Sequence, residues 1–339
     1  MQKEAYLVKP LSGQTVQCQT CEHFCTIKPG ETGKCRVRQN IDGQLNLMVY
    51  GEPIAAHVDP IEKKPLFHFM PGSSAFSIGT YGCNFRCAFC QNWQISQQDF
   101  SKTMPGRSPT APPEAIVDAC IRDQIPVIAY TYNEPTVFFE YTYDIARLAH
   151  EAGIKNVYVS NGFMSRAVLD MIEPYLDAIN IDLKAFTQEF YESRCAARLE
   201  PVKRNIAHIA RNTGIWIEVT TLLIPGLNDR DSETQAMTEW LAGVSVDIPW
   251  HISAFHPDYQ MHDRPPASHS MLVRAYDIGK RSGLRYVYVG NIVDSERGST
   301  RCPECGHTII TRDGYVTEQH WKDAGICPEC SYEIAGVWS

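Results

Sequence analysis

The sequence predicts an α/β fold built on parallel strands. Between residues 74 and 290, short apolar runs rich in β-branched and aromatic residues alternate with amphipathic stretches of helical period. Alternation at this spacing implies parallel strands joined by right-handed crossovers. The chain has 339 residues, 44% of them hydrophobic, which suffices for one large domain with appendages or for two domains. Six or seven strand–helix units fit a partial or complete β/α barrel. From pattern alone, a doubly wound sheet is the alternative.

Residues 1–73 read as an N-terminal cysteine-rich extension with short β segments such as LNLMVYG and many turn residues. Residues 74–296 carry the strand candidates AFSIGT, PVIAYT, NVYVS, DAINIDL, GIWIEVTT, PWHISAF and RYVYVG. Helices fall between them. PPEAIVDACIRD opens with prolines, which suit a helix start. TVFFEYTYDIARLAHEAG stops at a glycine. SRAVLDMIEPYLD, VKRNIAHIARNTG and DSETQAMTEWLAG follow, and Ser232 with Gln235 three residues on predicts a capping box. Residues 257–270, PDYQMHDRPPASHS, predict a mobile loop after the sixth strand. Residues 297–339 form a third, cysteine-bearing segment.

Composition excludes several classes. The net charge is –8 and no basic block occurs, so nucleic acid is not an expected partner. No apolar run approaches a membrane span, and the N-terminus MQKEAYLVKP has no apolar signal core, which predicts a cytoplasmic protein with no membrane association. Thirteen cysteines in such a chain argue for metal ligands over disulfides. Cys120 lies in an amphipathic helix and reads as a small buried hydrophobe; Cys195 could face a pocket.

The remaining cysteines fall into three clusters. Cys83, Cys87 and Cys90, in TYGCNFRCAFCQNW, are spaced C-x3-C-x2-C at the end of the first strand candidate. Three thiolates on one loop suit three irons of a [4Fe–4S] cluster and leave the fourth iron open, with Phe89 placed to shield the cluster. A zinc knuckle would want a fourth Cys or His close by, and none lies between Cys90 and residue 110. Cys302, Cys305, Cys327 and Cys330 form paired CPEC knuckles, C-x2-C-x21-C-x2-C, which predict a zinc ribbon. Cys18, Cys21, Cys25 and Cys35, C-x2-C-x3-C-x9-C, accept either zinc or a second [4Fe–4S] cluster; compact thiolate sites favour zinc.

C-x3-C-x-aromatic-C after a first strand resembles the radical S-adenosylmethionine (SAM) superfamily. The resemblance implies a partial (β/α)6 barrel and a cluster whose open iron is chelated by SAM. It also implies reductive cleavage to a 5′-deoxyadenosyl radical that abstracts hydrogen from substrate, with the cofactor carrying the hard chemistry. Barrel enzymes keep their sites at the C-terminal ends of strands, which directs attention to the strand ends. Asn133 and Glu134, in YTYNEPT, stand where the family has Gly-Gly-Glu-Pro, with Tyr132 and Asn133 replacing the glycines; Glu134 is an anion suited to the SAM ammonium. The other reading of NEP is a turn capping the next helix. Ser160 and Asn161 end the third strand and could bond the SAM carboxylate or ribose. Asp182 and Lys184 share a face of the fourth strand, and a charged pair there is costly to bury without partners. Thr220 and Thr221 follow on the fifth strand, and His251 with Ser253 on the sixth; a histidine there contacts SAM in the activating-enzyme branch, whereas a satisfied core histidine is the bland alternative. Lys63, Lys64 and His68 either line the mouth or form a solvated edge.

The N-terminal quartet, HVDPIEKKPLFHFMPGS, the radical SAM motif, NEPT, DLK and the CPEC pair together resemble the AmmeMemoRadiSam system radical SAM enzyme, within the pyruvate formate-lyase activating-enzyme-like group, nearly end to end. That resemblance implies an oxidoreductase acting on a partner-protein residue or a small molecule. It also implies a reductant protein and Memo-type and AMMECR-type partners. The alternative is a metal-dependent binding module whose zinc and iron–sulfur sites only shape a docking surface.

Overall fold

A computed structural model describes residues 2–98 and 110–339. The chain divides into two compact units, one of residues 1–59 with 74–177 and the other of residues 60–73 with 178–339.

The first unit opens with two small antiparallel sheets. β1 (Lys3–Glu4), β6 (Gln44–Leu47) and β5 (Arg38–Ile41) form one, and β2 (Val8–Pro10), β3 (Val16–Cys18) and β4 (Thr26–Ile27) the other. They bury Ala5, Val16, Ile27 and Leu45 in a satellite core that includes Cys18. β7 (Ala55–Pro60), β8 (Ser74–Gly79), β9 (Val127–Tyr130) and β10 (Lys155–Ser160) follow in the sheet order β10-β9-β8-β7. β8, β9 and β10 are parallel, with Ala75 opposite Val127 and Lys155 also opposite Val127. Every residue of β9 is buried, the continuous apolar run expected of a strand covered on both faces. Helix Pro113–Arg122 begins at a proline and buries Ile116, Val117 and Cys120. Helix Arg166–Ile172 is capped by Ser165, whose Oγ accepts from Val168 N.

The second unit holds β11 (Ala178–Asp182), β12 (Trp216–Leu223), β13 (Trp250–Ala254) and β14 (Val287–Gly290), parallel throughout. Helix Leu199–Asn212 buries Leu199, Val202, Ile206 and Ile209, one stripe at steps of three and four. β15 (Thr300–Arg301), β16 (Thr308–Asp313) and β17 (Val316–Gln319) close the unit as an antiparallel sheet. No helix among the described residues is long and apolar enough to cross a membrane.

The α/β class with parallel strands is as expected. Two details differ. Helix Asp231–Val244 starts at Asp231 behind an uncapped Arg230, so Ser232 lies inside the first turn and forms no capping box. Glu233 there accepts from Phe186 N instead. Residues 257–270 are pinned by an Asp258–Met261 bridge and by Ala267 N donating to Phe255 O, and Ser268 caps the helix that follows.

Candidate functional site

In the first unit, β8 ends at Gly79 and its loop carries the three motif cysteines. Cys83 and Cys87 are buried, Cys90 is half-buried, and Phe89 is buried beside them. Phe85 N donates to Cys83 Sγ (3.4 Å), and Cys90 Sγ lies 3.0 Å from Ser96 Oγ. Burial, then the charges of Glu134 and Cys87, push the Cys83 thiol well above its ordinary value. Thiolates at this place therefore need a cation, and a set of three sulfurs on one loop fits three irons of a cluster.

The loop is held from β9. Asn133 Oδ1 accepts from Thr80 N (3.2 Å), and Asn133 Nδ2 donates to Gly82 O (2.8 Å). Tyr132 has φ 70°, a left-handed backbone that glycine adopts without steric cost. Its hydroxyl donates to Asp59 (2.7 Å) and its carbonyl accepts from Asn92 Nδ2 (2.8 Å), contacts that help offset that cost.

Glu134 is fully buried and accepts four protein hydrogen bonds. They come from Thr136 N (3.1 Å), Thr136 Oγ1 (2.5 Å), Ser160 Oγ (2.9 Å) and Asn161 N (2.7 Å). Burial raises its carboxyl above the usual range even though these donors pull it down. The capping reading thus describes Glu134's contacts here: it caps the turn after β9 and ties that turn to the end of β10. Ser160 and Asn161 are thus both bonded to Glu134, and Asn161 Nδ2 reaches Asn84 Oδ1 (2.7 Å) beside Cys83.

In the second unit, strand register sets Asp182 beside Thr220 and Thr220 beside His251, so three predicted residues form one row across β11, β12 and β13. Asp182 pairs with Lys184 at 3.0 Å. Thr220 is buried and its hydroxyl has no partner among the described residues, an orphaned polar atom that suits a ligand. Thr221, by contrast, is occupied: its hydroxyl donates to Leu183 O and accepts from Trp250 Nε1. His251 Nε2 lies 2.6 Å from Glu218 Oε2, and its ring stacks on Tyr288.

Glu218 was not singled out from the sequence, although an acid inside the apolar run GIWIEVTT carried the same buried-charge signal as Asp182. It is fully buried and accepts from Phe67 N, His68 N and Trp216 Nε1. Burial raises its carboxyl, but the His251 hydrogen bond, the His251 and His68 charges and the backbone donor outweigh this and hold it below the usual range. His68 neither lines a mouth nor forms a solvated edge: it is buried, with Nδ1 donating to Ala335 O (2.6 Å) and Nε2 accepting from Tyr288 OH (2.5 Å). Lys64 is likewise buried, and Lys63 Nζ lies over the Tyr315 ring. Cys195 is buried within a π-helical turn.

The four C-terminal cysteines converge. Their sulfurs all lie within 4.8 Å of one another, with Cys302–Cys330 at 3.5 Å and Cys305–Cys327 at 3.6 Å. Both knuckles make the same turn: Cys302 N donates to His307 O and Gly306 N to Cys302 O, as Cys327 N does to Tyr332 O and Ser331 N to Cys327 O. Zn–S bonds of 2.3 Å in a tetrahedron set sulfurs about 3.8 Å apart, so this set fits one tetrahedral ion.

Comparison with known proteins agrees with this geometry. Residues 77–237 match the Radical SAM superfamily. An uncharacterized protein of Methanocaldococcus jannaschii is 41% identical over 311 residues, covering 91% of each chain. A protein of the same archaeon, provisionally named a glycyl-radical enzyme activating enzyme, is 24% identical over 54% of this chain and 68% of its own. Among solved structures, Streptococcus suis SuiB bound to S-adenosylmethionine superposes with a TM-score of 0.50 at 10% identity, covering 68% of this chain and 53% of that one, a likeness of fold.

Proposed function

The chain belongs to the radical SAM superfamily, and from that premise we propose that it is an activating-type enzyme of the AmmeMemoRadiSam system that abstracts hydrogen from a partner-protein residue or a small molecule. Cys83, Cys87 and Cys90 hold three irons of a [4Fe–4S] cluster. When bound, cluster and SAM together supply a one-electron cleavage of the sulfonium and a hydrogen-abstracting radical. The chain's own residues position and shield. Asn133 fixes the segment leading into Cys83, and the buried Phe85 and Phe89 keep water from the sulfurs. Glu134 holds Ser160 and the Asn161 backbone in place for a polar ligand. In the second unit, Asp182, Lys184, Thr220 and His251 supply an acid, a cation, a hydroxyl with no partner among the described residues and an imidazole, a set suited to a polar ligand such as SAM.

One observation carries this reading: three thiols on a single loop at the C-terminal end of β8, with no fourth cysteine in that loop. Cys302, Cys305, Cys327 and Cys330 hold a structural zinc, consistent with the sulfur spacing. Memo-type and AMMECR-type proteins are the partners, a reductant protein supplies the electron, and the cytoplasm keeps the thirteen cysteines reduced.

Anaerobic reconstitution with iron and sulfide, followed by SAM and a strong reductant, tests the proposal. The expected result is 5′-deoxyadenosine from the full chain and none from Cys87→Ala. A binding module would make none in either case, and would show no SAM-induced change in the cluster's spectrum.

A further inference from the structure

The N-terminal quartet surrounds a space that the C-terminal quartet does not. Cys18, Cys21, Cys25 and Cys35, with Arg38 and Asn84, line a small cavity of about 20 Å³. Cys18 and Cys35 are buried and the other two half-buried. The four C-terminal sulfurs, by contrast, close to 3.5–3.6 Å in pairs, the spacing of ligands around a single ion. A cubane cluster sets its cysteines further apart than one ion does, because irons and sulfides stand between them, and it needs room among the sulfurs.

One residue of the cavity lining also carries an orphan donor. Asn84 is 2% exposed, and its Nδ2 has no partner among the described residues. Its other polar atoms are engaged: Oδ1 accepts from Asn161 Nδ2 (2.7 Å), and O accepts from His23 Nε2 (2.9 Å). A zinc ion adds no acceptor to such a site beyond its thiolates. The sulfides of a cluster do, and hydrogen bonds to sulfur are a usual means of tuning a cluster. The cavity-lining charges are engaged: Arg38 makes a bidentate pair with Glu140 at 3.0 and 2.6 Å, and Lys34 Nζ lies 3.4 Å from His23 Nδ1. Asn84 thus brings to the cavity lining a buried donor with no partner among the described residues.

We propose that Cys18, Cys21, Cys25 and Cys35 hold a second iron–sulfur cluster of the [4Fe–4S] class, reversing the expectation of zinc drawn from their spacing. The site adjoins the motif loop through backbone. Asn84 follows Cys83 directly, and a side chain on Gly82 would meet Cys35 O. The cluster takes one electron at a time from a low-potential reductant and returns to its oxidised state by passing that electron on, with no bond made or broken.

The test uses the full chain with Cys83, Cys87 and Cys90 all changed to alanine, reconstituted anaerobically with ferrous iron and sulfide. The expected result is about four irons per chain and a cluster-type paramagnetic signal on reduction, against about eight irons in the unaltered protein. Two irons or none, or zinc in the quartet, overturns the proposal. In the converse variant, Cys21→Ala with Cys25→Ala, about four irons should be lost while the motif cluster's signal persists. Should that variant fail to fold, the triple variant still decides. The two readings fail separately. Four irons in the triple variant, with no 5′-deoxyadenosine from the unaltered chain, would uphold this cluster and remove the radical SAM proposal.

Discussion

Gly82 is a close joint between the motif loop and the N-terminal segment, and Gly82→Ala measures it. Its φ is +89°, where an L side chain costs about 1–2 kcal/mol. An added Cβ would also stand 2.6 Å from Cys35 O and 2.7 Å from Val37 Cγ1. Val37 is fully buried and Cys35 nearly so, so neither can swing away. Overpacking of this kind adds about 1–3 kcal/mol. The sum is about 2–5 kcal/mol, a large share of the stability of a typical domain. Gly30→Ala is the control: its φ is +82°, but nothing lies within 4 Å of the added carbon. Urea unfolding of both variants therefore isolates the contact, with Gly82→Ala falling below Gly30→Ala by about 1–3 kcal/mol. Reconstituted Gly82→Ala is further expected to bind less iron than Gly30→Ala. Equal unfolding midpoints and equal iron would refute the claim that the two segments are packed backbone to backbone at this point.

Other expectations follow from individual side chains. Thr220→Val keeps the shape of a hydroxyl that has no partner among the described residues, so stability should change by less than about 1 kcal/mol while SAM affinity falls roughly five- to tenfold, the worth of one hydrogen bond; calorimetric titration showing unchanged affinity would exclude Thr220 as a ligand contact. Glu134→Ala strands buried donors at Thr136 and Asn161, which should cost about 2–4 kcal/mol in denaturant unfolding, and a neutral effect would contradict its role as a tie. Burial, against the pull of the Glu218 charge, brings the His68 imidazole down to about 4. Its folded pKa is thus lower than its unfolded value of roughly 6.5, the unfolded chain takes up the proton first, and up to about 3 kcal/mol of stability present above pH 6.5 is lost as pH falls toward 4. His68→Gln should flatten unfolding midpoints across that window, and an unchanged pH slope would count against it. Cys302→Ala or a strong chelator should release one zinc per chain and lower the unfolding midpoint, because structural metal binding is folding free energy; metal analysis that finds no zinc would remove this site.

The sequence alone determined what depends on neighbours along the chain. The parallel strands were legible because buried strands are short, continuous and apolar, and all four residues of β9 are buried. The motif loop was legible because Cys83, Cys87 and Cys90 are covalently close, so their spacing limits what they can hold. Tertiary structure decided everything that depends on distance across the fold. Strand register, which no single strand encodes, put Asp182, Thr220 and His251 in one row. Capping separated Glu134, whose oxygens accept four protein donors, from the freer Thr220. Local signals misled where they competed: a Ser three residues before Gln lost its capping box because the helix starts at Asp231. His68 and Glu218 looked peripheral or went unnoticed, yet each is fully buried, since a polar group enters a core only when distant partners such as Ala335 O and the Phe67 amide satisfy it. Both cysteine quartets spell metal in one dimension. Only three dimensions distinguish sulfurs closed to 3.5 Å from sulfurs set around a cavity, because the ligand's size is matched by distances between residues and not by their spacing in sequence.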